Sequence, residues 1–138
     1  MLGNSLSQID SAVFRIEKLR KGYLSEESKL RLANNENKVY KSGICVAEKL
    51  YRLTHDFAYL ERAFRFSDRE KYAVLHELMA GGKPDNTLHI SEIQQALPPS
   101  QALIEYSLHD SLLYIFVIRE DTAALETRLA DSRFFGAL

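Results

Sequence analysis

The stretch Phe57-Ala-Tyr-Leu-Glu-Arg-Ala-Phe-Arg-Phe-Ser-Asp-Arg-Glu-Lys-Tyr-Ala-Val-Leu-His-Glu-Leu78 reads as one long amphipathic helix. Phe57, Leu60, Phe64, Lys71, Leu75 and Leu78 approximate a single stripe at three- and four-residue spacing. Ser67-Asp-Arg-Glu70 imitates a capping box and offers a place to split it, but no Gly or Pro interrupts the run, so the reading is continuous to about Met79. Gly81-Gly-Lys-Pro84 then ends it with strong turn chemistry. Beyond that seam the pattern changes period. Ala102 to Leu108 and Leu112 to Arg119 are rich in Ile, Leu, Val, Tyr and Phe, with His109-Asp-Ser111 as a tight connection, so they read as a β-hairpin. Helical structure giving way to β structure predicts an α+β chain.

Working outward, Ser91-Glu-Ile-Gln-Gln-Ala-Leu97 reads as a short helix, capped by Ser91 and stopped by Pro98-Pro99. In the first strand Leu103, Glu105 and Ser107 alternate with Ile104, Tyr106 and Leu108. The second strand is apolar throughout, which predicts a central strand covered on both faces. Thr122 to Leu129 suits a third strand, although its Ala, Glu and Arg also permit helix. Toward the N-terminus, Leu6, Ile9, Val13 and Ile16 place a stripe on a helix from Ser5 to Lys21, followed by Gly22 at a C-cap position. Ser25-Glu-Glu-Ser28 starts a second helix. Asn34-Asn-Glu-Asn37 is poor helix material, where that helix can kink or break. From Lys38 a helical face resumes through Ile44, Ala47, Leu50 and Tyr51, and Asp56 is a suitable N-cap for the helix at Phe57.

The composition excludes several function classes. The chain has 138 residues, 46% hydrophobic and 27% charged, with a formal charge of −1. That charge disfavours a nucleic-acid partner, which demands a basic face. A single cysteine, Cys45, rules out an internal disulfide and a cysteine-based metal cluster. The longest apolar run, Leu112 to Ile118, is far shorter than the roughly 20 residues a membrane helix needs. A cytoplasmic protein without cofactor or membrane partner is the expectation.

Candidate chemistry is sparse. Cys45 lies within an amphipathic helix with no adjacent His, so it reads as a core or interface residue rather than a nucleophile. His109-Asp-Ser111 has the residue types of a triad, but side chains of neighbours in a tight turn diverge, so a turn is the better reading. The four histidines, His55, His76, His89 and His109, form no metal-ligand pair at helical spacing. Arg62, Arg65, Arg69 and Lys71 could receive an acidic peptide, whereas Glu61, Asp68 and Glu70 interspersed among them favour a self-paired, solvated helix face. The aromatic residues Tyr51, Phe57, Tyr59, Phe64, Phe66 and Tyr72 read as core of a helical array, with some lining a binding face.

Ile44-Cys-Val-Ala-Glu-Lys-Leu-Tyr-Arg-Leu-Thr54, Tyr59-Leu-Glu-Arg-Ala-Phe64 and Ser67-Asp-Arg-Glu-Lys71 resemble the last tetratricopeptide-like repeats of bacterial CHAT proteins, in which helical repeats precede a caspase-like domain. Ile93 to Tyr106 and Leu112 to Ile118 resemble the opening strands of the CHAT domain itself. The resemblance runs from about Ser25 to Ile118. Ala47 and Ala63 stand at small packing positions, with a separation longer than the usual repeat. The resemblance implies a helical hairpin arm over 1–80, a linker over 81–90 and the N-terminal part of a CHAT-like α/β domain over 91–138, carrying a short helix and a small antiparallel sheet. It also implies a cysteine protease or an inactive relative. The catalytic His and Cys of that family lie on later strands, and no residue here matches them.

The expected function is therefore protein–protein interaction or scaffolding, without catalysis. The alternatives are a regulatory portion of a caspase-like protease and a free-standing adaptor. The expected partner is a protein or peptide, met by Arg62, Arg65, Arg69, Tyr59, Phe66, Tyr114 and Phe116. The hairpin, with an unpaired edge, adds an expectation of self-association through Ala102 to Ile118.

Overall fold

The structure is a computed structural model that describes residues 2–20, 26–78 and 88–130. The expected turn at Gly81–Pro84, the C-cap at Gly22, the start at Ser25 and the segment from Arg133 lie outside these residues. Four helices and a three-stranded sheet make up an α+β chain. It divides into two compact units, Met1–Thr87 and Leu88–Leu138.

The first unit holds helices α1 (Leu2–Arg20), α2 (Glu26–Thr54) and α3 (Phe57–Leu78). Helix α2 packs on both of the others. It is continuous through Asn34–Asn37, where the sequence allowed a kink or a break. The reason is local: Asn34 and Asn35 face outward, while Glu36 is buried and its carboxylate accepts a hydrogen bond from Tyr40 one turn on. Helix α3 is continuous as expected, and Ser67 lies fully buried inside it, accepting from the Lys71 ammonium at 3.1 Å. The joint between α2 and α3 is compact. His55 takes a left-handed conformation (φ 55°), and the Asp56 carboxylate accepts the Ala58 N–H at 2.9 Å, the N-cap read from sequence.

The core of this unit is formed by Leu6, Val13 and Ile16 of α1, Tyr40, Ile44, Ala47 and Leu50 of α2, and Leu60, Ala63, Phe64 and Phe66 of α3. Ala47 and Ala63 have no exposed surface, in keeping with small packing positions. Phe57, at 49% exposure, is outside the core despite its place in the sequence stripe.

The second unit begins with α4 (Ile90–Ala96), followed by β1 (Ala102–His109), β2 (Leu112–Arg119) and β3 (Ala123–Leu129). The N-cap of α4 is His89 rather than Ser91, because the Glu92 carboxylate reaches back to accept the His89 N–H at 2.9 Å. Leu97 is extended, as the residue before a proline should be, and the helix stops there. The sheet is an antiparallel meander in the order β1-β2-β3, which settles the third segment as strand.

Strand β2 is central, but only one of its faces is covered. Tyr114, Phe116 and Ile118 are buried, on the sheet face that meets the α4 residues Ile90 and Ile93 in one core. Leu113, Ile115 and Val117 face the other way and are half-exposed. Strand β1 follows the same division, with an unexpected polarity. Its register sets Glu105 opposite Phe116 and Ser107 opposite Tyr114, on the inner face. Ile104 and Tyr106 point outward at 51% and 53% exposure. Tyr114 and Phe116 are thus core residues and cannot belong to a docking surface.

Candidate interaction cleft

Helix α3 presents Arg62, Arg65 and Arg69 along one side. Spacings of three and four residues return to the same helix face, so the three guanidinium groups form a ladder two turns long, about 10 Å from end to end. Helix α1 answers with Asp10 and Glu17, also two turns apart. Arg62 is ion-paired to Asp10, and Arg69 to Glu17 at 3.0 Å. Both pairs span 52 residues, so the two helices advance in the same direction with one fixed register. The antiparallel α2 lies against both, joined to α3 by Lys41 and Glu70 at 3.6 Å.

Between the paired ends is a cleft of about 310 Å³, lined by Asp10, Arg62, Arg65, Phe66 and Arg69. Arg65 is half-buried and makes no ion pair among the described residues. Two of the three guanidinium groups are thus paired with carboxylates of α1. Phe66 is 6% exposed and forms its apolar floor. It contributes shape and not a free aromatic surface, which corrects its place among the expected contact residues.

Below the ladder is a buried polar pair. The Tyr40 hydroxyl donates to Glu36 Oε1 at 3.2 Å. Burial, followed by the Glu36 carboxylate, pushes the Tyr40 pKa far above its ordinary value, while Arg69 pulls it the other way. Arg69 thus acts on two levels, pairing with Glu17 at the surface and exerting its field on the buried phenol.

The other expected residues fall elsewhere. Tyr59 is half-buried in the first turn of α3 and does not line the cleft. Lys71 binds Ser67 and is likewise outside it. Acids that pair with Arg62 and Arg69 come from α1, a source the sequence reading of a self-paired helix face did not include. Asp10 and Glu17 had no signal in the sequence, because a separation of 52 residues has no local periodicity to reveal it.

Cys45 is half-buried within α2. His109 Nε2 and Asp110 Oδ2 approach to 3.5 Å, but Asp110 is 90% exposed at a left-handed turn position, and the Ser111 carbonyl serves the sheet by accepting the Ala130 N–H. This is turn geometry. Among the described residues, no three His, Cys, Asp or Glu side chains gather as a metal-ligand set, and no helix is long and apolar enough to cross a membrane. No family model, curated protein or solved structure matches the chain.

Proposed function

We propose that the chain is a protein-interaction module without catalytic chemistry of its own, and that its docking surface is the cleft between α1 and α3. The observation that carries this reading is the cleft itself: two parallel helices held apart by end pairs, with a charged side chain, Arg65, left to face an incoming partner. Parallel helices bridged by an antiparallel one are how stacked helix hairpins build a concave surface. That arrangement supports the tetratricopeptide-like reading of the first unit, and the short helix and hairpin that follow it support a scaffold arm of CHAT type. The test is selection from a displayed peptide library against the whole protein. Binders should lose at least about tenfold in affinity on Arg65→Glu, as for removal of a charged interface contact. A selection yielding no ligand sensitive to Arg62, Arg65 or Arg69 would overturn the reading.

A second reading concerns the sheet. Among the described residues strand β1 is an edge strand with Ile104 and Tyr106 turned outward, and such an edge invites a copy of itself in antiparallel register. This favours self-association through Ala102–His109.

A further inference from the structure

We infer that the α1–α3 cleft takes an acidic peptide, with Arg65 as the first contact and with Asp10 and Glu17 as built-in competitors for the two flanking arginines. The inference rests on the docking role proposed for this cleft and adds the chemistry of its occupant. Three arginines in line are a receptor for carboxylates, since a guanidinium offers a planar fork that matches them. Two of those forks already hold carboxylates of the same chain, and both acids are about half-exposed: Asp10 at 49% and Glu17 at 46%. Exposed ion pairs are weak and exchange readily. A peptide carboxylate that settles on Arg65 is therefore placed one turn from Arg62 and one turn from Arg69, where it can displace either intramolecular acid.

The spacing limits the ligand further. The ladder spans about 10 Å. An extended peptide advances about 3.3 Å per residue, so acids three residues apart reach both ends while the residues between them pass Arg65. A nucleic acid fits poorly. Two of the three guanidinium groups already hold carboxylates, and phosphate backbones are held by several cations at once.

The probe is a fluorescein-labelled peptide repeating Glu-Ser-Ser, compared by anisotropy with its Gln-Ser-Ser counterpart, with a short single-stranded DNA and with phosphatidylserine vesicles. The Glu peptide should bind the whole protein, weaken as salt rises, and lose about tenfold on Arg65→Gln, with recovery on Arg65→Lys. Asp10→Asn or Glu17→Gln should tighten it about threefold by removing a competitor, a gain that a merely structural role for these acids would not produce. Equal binding of the Gln peptide, indifference to Arg65→Gln, or stronger binding of DNA or vesicles would overturn the inference. Neutral library peptides that depend on Arg65 would sink the acidic preference and leave the docking role standing. A library without any ligand dependent on the three arginines would remove both.

Discussion

At Gly43 the chain has no room for a methyl group. A β-carbon there would lie 2.8 Å from both Cγ and Cδ2 of Phe66. Those atoms are the root of the ring and cannot swing aside without moving the whole side chain. Glycine inside a helix normally costs about 1 kcal/mol relative to alanine, so propensity alone favours Gly43→Ala. Overpacking a core costs about 1–3 kcal/mol, and the clash should win. Gly43→Ala should therefore lower the urea-unfolding free energy by about 1 kcal/mol, while the same change in a Phe66→Leu background should raise it. Stabilisation in both backgrounds would mean that the ring is not where the packing is tight.

Tyr40 gives a second test at this scale. A phenol whose folded pKa is raised contributes stability that is whole below the ordinary value of 10.0 and drains away as pH climbs through the folded value. Of the seven tyrosines, one should ionise last in an ultraviolet titration, and it should disappear from the curve in Tyr40→Phe. Unfolding free energy should fall above about pH 10 in the wild type and fall less steeply in the variant. An unchanged alkaline slope would exclude Tyr40 as its source.

Among the elements, the sequence was legible wherever a local rule decided the outcome. Helix α3, the Asp56 cap, the stop before Pro98 and the two strands of the hairpin all follow from neighbours within a few residues. It misled where burial or a partner distant in sequence decided. Asn34–Asn37 predicted a weakness, but burial of Glu36 against Tyr40 carries α2 through it. Alternation in β1 separated two faces correctly without saying which one turns inward. Apolarity favoured Ile104, Tyr106 and Leu108, whereas register puts Ser107 beside Tyr114 in the core. The arginine ladder of the cleft was visible as helical spacing. Its counter-charges on α1 were not.

Across the whole molecule, the outward apolar residues of β1 bear on the association proposed for the second unit. Sedimentation over a wide concentration range should show self-association of the wild type. Tyr106→Lys should abolish it with little change in melting temperature, because a 53%-exposed side chain adds little to the core. Phe116→Lys is unsuitable for this purpose, since it would place a charge in the core and unfold the unit. A wild type that stays monomeric at every concentration would rule the association out.

The inverted polarity of β1 also gives the sheet a rival state. Sliding β1 by one residue against β2 would exchange its faces, bringing Ile104, Tyr106 and Leu108 inside and putting Leu103, Glu105 and Ser107 in water. Counted by hydrophobicity alone, the slipped hairpin is the better one. It is held off by its connection. Asp110 and Ser111 make a two-residue link, with Asp110 at φ 54°, and a link that short permits only the register observed. The turn therefore acts as a ratchet pawl. A single residue inserted between His109 and Leu112 would release it, and the chain would then choose its pairing by greasiness instead of by geometry.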